Sequence, residues 1–118
     1  MGRLVAELLV FEPDLLFSSQ IESAATKRGF NVRVSSNLKA LSQLLAEAKP
    51  GMVIVNLDRV EDFDFLRSLK GRTETSRFVG YYSHVDAKVA EEAKNAGFEI
   101  VLPRRAFVSK LSEILSDA

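Results

Sequence analysis

Short apolar runs alternate five times with segments of helical period along this chain, and that alternation restricts the fold more than any single residue does. Leu8-Leu9-Val10-Phe11 and Met52-Val53-Ile54-Val55 contain no polar position. A strand that is apolar on both faces belongs inside a parallel sheet covered on two sides. The first run ends at Glu12-Pro13-Asp14, and Asp14 is placed to cap a helix over 15–28, with Leu15, Ile21, Ala24 and Ala25 inward and Gly29 as its stop. Asn31 to Ser35 alternates in the manner of a half-exposed edge strand. A second helix follows with Leu38, Leu41, Leu44, Leu45 and Ala48 inward, ended by Lys49-Pro50-Gly51. The third strand is expected over 52–57, and Phe63, Leu66 and Leu69 mark a short helix stopping near Gly71. A fourth strand is expected over 78–82 and a helix from a cap at Asp86 to Ala96. A fifth strand over 99–102 and a last helix lined by Val108, Leu111, Ile114 and Leu115 complete the pattern.

Five βα units in succession require crossover connections, and these are right-handed. The expected fold is therefore α/β: a flavodoxin-like, doubly wound (βα)5 domain with a five-stranded parallel sheet in the order 2-1-3-4-5 and helices on both faces. The 118 residues suffice for one domain, 1–118, and are too few for two. Sixteen basic side chains balance sixteen acidic ones, so no global field draws the protein to nucleic acid or an anionic membrane. Without cysteine there is no thiolate metal site or thiol nucleophile, and one histidine, His84, cannot build a histidine-rich one. No signal peptide or membrane-length apolar stretch is present, which gives a cytoplasmic expectation. Ligands of doubly wound sheets sit at the carboxyl ends of the strands. That directs attention to Glu12, Pro13 and Asp14, to Asn56 through Asp58, to Ser83 and His84, and to Pro103 through Arg105.

These segments carry a family resemblance. Leu9-Val10-Phe11-Glu12-Pro13, Pro50-Gly51-Met52-Val53-Ile54-Val55-Asn56, Val79-Gly80-Tyr81-Tyr82-Ser83 and Ala96 through Arg105 resemble the receiver domain of bacterial two-component response regulators. The resemblance extends over nearly the whole chain, although the segment between Asp58 and Leu66 lacks the family's usual proline and glycine. It implies an acidic pair after strand one, a phosphoacceptor aspartate after strand three, a hydroxyl residue after strand four and Lys-Pro after strand five. On those positions Glu12 keeps one acid and Pro13 replaces the other. Asn56 stands at the phosphoacceptor, Ser83 keeps the hydroxyl, and Arg104 and Arg105 stand at Lys-Pro.

The reaction implied by the resemblance needs a carboxylate nucleophile and a magnesium ion held by carboxylates. A carboxamide at Asn56 is no nucleophile, and Pro13 removes both a ligand and a backbone donor. Arg104 keeps a positive charge whose fork can pair with Glu12 in place of the metal. The expectation is a degenerate pocket of Glu12, Pro13, Asn56, Ser83 and Arg104, with no catalytic residue and no cofactor: a pseudo-receiver that binds and does not catalyse. The competing assignment shifts the register, bringing Asp14 and Asp58 beside Glu12 to rebuild a magnesium-dependent phosphoacceptor or small enzyme. The simpler assignment makes Asp14 a helix cap and Asp58 a solvated loop residue.

His84 beside Ser83 lacks an orienting third group and reads as a loop histidine. Arg104 and Arg105, with Lys27 and Arg28 elsewhere, read as ion-paired or solvated surface, since no Gly-rich loop or aromatic platform accompanies them. Tyr81 and Tyr82 alternate across strand four, one toward each helix layer, and imply no cofactor. The resemblance also implies a partner or dimer face made by helix four, strand five and helix five. Here that face would use Lys88, Glu92, Glu99, Val101, Arg105 and Phe107, charges around apolar anchors suited to a protein partner or self-association.

Overall fold

In the computed structural model, which describes residues 6–83 and 88–116, the side-chain alternation within each central strand divides the core in two. Leu8 and Val10 of the first strand enter one apolar cluster and Leu9 and Phe11 the other. Met52 and Ile54 of the third strand likewise oppose Val53 and Val55. All eight are buried, which is why neither run tolerates a polar residue.

The elements are β1 (Glu7–Phe11), α1 (Leu15–Thr26), β2 (Asn31–Ser35), α2 (Leu38–Glu47), β3 (Met52–Asn56), a 3-10 turn (Leu57–Arg59), α3 (Phe63–Arg72), β4 (Arg77–Tyr82), α4 (Lys88–Asn95), β5 (Ile100–Pro103) and α5 (Arg104–Ser116). The strands form one parallel sheet in the order β2-β1-β3-β4-β5. This is the flavodoxin-like topology expected from the alternation. One cluster lies under α1 and α5, the other under α2, α3 and α4. Gly29 and Gly97 follow α1 and α4 with φ of 90° and 102°, a left-handed conformation that glycine adopts without a Cβ clash.

Several local expectations change. Leu15 is 79% exposed; Phe17 is buried in its place and joins Ile21 and Ala25, inward as expected, in a strict i, i+4, i+8 stripe. Gly71 lies inside α3, which Thr73 ends. Ala48 closes α2 as its half-buried C-cap, and Leu57 leaves β3 for the 3-10 turn. His84 and the cap expected at Asp86 lie outside the described residues.

The 3-10 turn and β4 meet closely. A Cβ on Gly80 would stand 2.8 Å from Cδ1 and 2.9 Å from Cγ of Leu57, which is itself fully buried. Gly80→Ala should therefore destabilise the protein by about 1–3 kcal/mol through overpacking, read as a lower urea midpoint. A midpoint equal to wild type would mean that the turn can move away from β4.

Candidate functional site

The sheet register assembles the pocket. Phe11 pairs with Val55 and Asn56 pairs with Tyr81, so Glu12, Asn56 and Tyr81 lie side by side across the carboxyl ends of β1, β3 and β4. Glu12 is 2% exposed and Asn56 7% exposed. Burial of a carboxylate costs several kcal/mol unless donors replace the lost water. Three do. Asn56 donates through Nδ2 to Glu12 Oε1 at 2.9 Å, the Tyr81 hydroxyl donates to the same oxygen at 2.5 Å, and the Asp14 backbone N–H donates to Oε2 at 2.9 Å.

Asn56 is held at both ends, because its Oδ1 accepts from the Asp58 N–H at 3.0 Å. A carboxylate at this position would have nothing to donate to Glu12, so the carboxamide is integral to the buried arrangement. The Tyr81 phenol lies far above its ordinary pKa. Burial is the main cause, and the hydrogen bond to Glu12 and its negative charge push the same way, only partly opposed by Arg104. Tyr81 is thus a fixed donor. Its ring stacks on Phe107 at 4.5 Å between centroids, and Phe17 meets both rings edge-on at 5.3 and 6.3 Å. Each such contact contributes about 0.5–1.5 kcal/mol beyond area burial.

Arg104 does not form the ion pair with Glu12 that its charge invited. The guanidinium lies 3.9 Å from the Phe17 ring centroid, at the first position of α5. Tyr81 and Asn56 already occupy the available Glu12 oxygen, and the ring face attracts a cation without requiring its full desolvation. Asp14 caps α1 as expected, accepting from the Leu16 and Phe17 N–H groups at 2.9 and 3.4 Å. Asp58 is not the freely solvated loop residue of the simpler assignment. It is half-buried, its Oδ2 accepts the Ser83 N–H at 2.7 Å, and its Oδ1 is buried without a hydrogen-bond partner. Asp58 therefore ties the end of β3 to the end of β4. Ser83 is exposed, and Pro13 is half-buried beside Phe11.

The residues present do not fit a magnesium site. Among the described residues no group of three or more Asp, Glu or His is arranged to hold a metal. Both oxygens of Glu12 are engaged by protein donors, Pro13 offers no carboxylate, and Asp14 points its oxygen at a helix end. The carboxylates of Asp14 and Asp58 are turned to the start of α1 and to the Ser83 N–H.

On the expected partner face, Lys88, Glu92 and Arg105 are exposed and Val101 is half-buried. Phe107 is fully buried against Tyr81 and cannot serve as a surface anchor; the exposed apolar residue of α5 is Val108, at 51%. The stripe was legible in sequence, but its rotation about the α5 axis was not. Glu99 belongs to a different contact. Its Oε2 accepts from Lys70 Nζ at 2.8 Å and its Oε1 from the Phe78 N–H at 2.9 Å, joining α3 to the sheet edge.

Tyr81 is the functional residue that strand patterning missed as part of the pocket. The available signal was chemical: a tyrosine in an otherwise apolar buried strand needs a partner for its hydroxyl.

The fold is a flavodoxin-like, doubly wound parallel sheet. Among solved structures the chain is similar to a response regulator from Thermotoga maritima, with a TM-score of 0.82 and 18% identity over 97% of both chains. An orphan response regulator of H. pylori matches with a TM-score of 0.80 and 16% identity over 97% of this chain and 99% of that one. A chemotaxis response regulator of Vibrio cholerae matches at 0.78 and 11% identity, over 94% and 99%. The chain has the fold of response-regulator receiver domains. No family model and no curated protein matches its sequence.

Two measurements follow from this geometry. Tyr81→Phe keeps the stacked ring and removes one donor from a buried carboxylate, so it should cost about 1.5–3 kcal/mol in urea unfolding; a change below about 0.5 kcal/mol would show that Glu12 does not depend on the phenol. Burial pushes the Glu99 carboxyl up, but the Lys70 and Phe78 hydrogen bonds, its own N–H and the Lys70 charge outweigh this and hold it below its ordinary value. A lowered folded value stabilises above the unfolded pKa, about 4.3, and that contribution fades as pH falls through the folded value. The stability advantage of wild type over Glu99→Gln should therefore be small, because the side chain is 40% exposed, and should disappear on acidification.

Proposed function

We propose that this chain is a signalling module with a receiver fold that works without phosphorylation, through contact with a protein partner or a second copy of itself. The observation that carries this reading is the saturation of Glu12 by Asn56, Tyr81 and the Asp14 N–H. The carboxylate that would help hold a cation already has both oxygens engaged by protein donors, and the residue at the phosphoacceptor position is one of them. With no nucleophile there is no covalent switch, and the buried network holds the carboxyl edge of the sheet in one arrangement. The likeness to response regulators supports a role in two-component signalling. The face of α4, β5 and α5, with Lys88, Glu92, Arg105 and Val108 exposed, is the surface assigned to the partner.

Incubation of the full chain with a small-molecule phosphodonor and magnesium should leave its intact mass unchanged. A gain of one phosphate that is lost in Asp58→Asn or Asp14→Asn would overturn the reading in favour of displaced carboxylates.

A further inference from the structure

A cleft of about 610 Å³ opens between the N-termini of α2 and α3, outside the Glu12 network. Its volume falls within the range of small-molecule sites. Phe11, Pro13, Leu38 and Phe65 supply apolar surface, and Lys39 and Arg59 stand at the same opening. Among the described residues neither cation makes an ion pair or side-chain hydrogen bond.

The electrostatics of the cleft are one-sided at α2. The first turn of that helix contains no acidic residue, and Lys39 lies in it, where a helix ordinarily favours negative charge. Only one cap oxygen is supplied, by Asn37 to the Ala40 N–H at 2.7 Å. On the α3 side the rim carries two exposed acids, Glu61 and Asp62, the second accepting the Phe65 N–H through Oδ1 at 3.0 Å, so the positive side of the cleft is the one at α2. Pro13 contributes as well. The residue that removes an acid from the receiver pocket also places an apolar ring, without negative charge, on this cleft.

We infer that the α2–α3 cleft binds a small amphipathic organic anion, its flat apolar body against Phe11, Pro13, Leu38 and Phe65 and its carboxylate or phosphate between Lys39 and Arg59. Apolar walls alone would accept any hydrophobe, and two exposed cations alone any inorganic anion. Their placement at one opening selects molecules that carry both features, and because Glu12, Asn56 and Tyr81 take no part, the inference stands or falls separately from the signalling reading.

The test is amide NMR on the full chain, titrated with 2-naphthoate, with the neutral 2-naphthalenemethanol and with inorganic phosphate. Naphthoate should shift amides within 36–39 and 59–65 saturably in the millimolar range allowed for a fragment of that size. The alcohol and phosphate should each bind about tenfold more weakly, and Lys39→Gln combined with Arg59→Gln should weaken naphthoate by about tenfold, the loss of two exposed charge contacts. Absence of saturable shifts in these segments would overturn the inference. So would equal binding of the alcohol, equal binding of phosphate, or an unchanged naphthoate affinity in the folded double variant.

Discussion

A carboxylate enclosed at the end of β1 sets the terms for the carboxyl edge of this sheet. Burying a carboxylate without hydrogen-bond donors costs several kcal/mol. Glu12 must therefore be met by donors, and the parallel register delivers them from β3 and β4 while the turn into α1 delivers a third. Asn56 and Tyr81 are then best read as a matched pair around one charge rather than as two independent replacements. Asn56 has the size of an aspartate but offers an N–H donor where a carboxylate would repel Glu12.

The consequences extend along the aromatic stack. Tyr81 is anchored at its hydroxyl by Glu12 and at its ring by Phe107 and Phe17, and Phe17 in turn receives the Arg104 guanidinium. Polar satisfaction at the sheet edge and apolar packing under α1 and α5 are thus parts of one structure. Asp58 adds a second tie through the Ser83 N–H. Both ties hold the loops at the carboxyl ends of β1, β3 and β4, and they are made entirely by the chain's own groups.

Much of this was legible from residue order. The continuous apolar runs at Leu8–Phe11 and Met52–Val55 required a sheet covered on both faces, and the fivefold alternation required crossovers; both are local patterns, and nothing elsewhere in the chain competes with them. Asp14 as a cap and Asn56 at the end of β3 were equally plain. Leu15 and Phe107 were misjudged for a common reason. Helical period identifies a stripe, but the angle at which the helix meets the sheet decides which edge of the stripe is covered. Arg104 was misjudged because charge is visible in sequence and competition for an acceptor oxygen is not.

The sequence by itself determined the sheet, its order, and the carboxamide at the end of β3, because these depend on side-chain identity and short-range periodicity. Only the tertiary structure decided that Tyr81, 69 residues from Glu12, completes the carboxylate's coordination, that Arg104 turns to Phe17, and that α2 and α3 leave a cleft between their first turns. Those outcomes depend on register and on distances between elements far apart in the chain, where several donors compete for one acceptor and geometry selects among them.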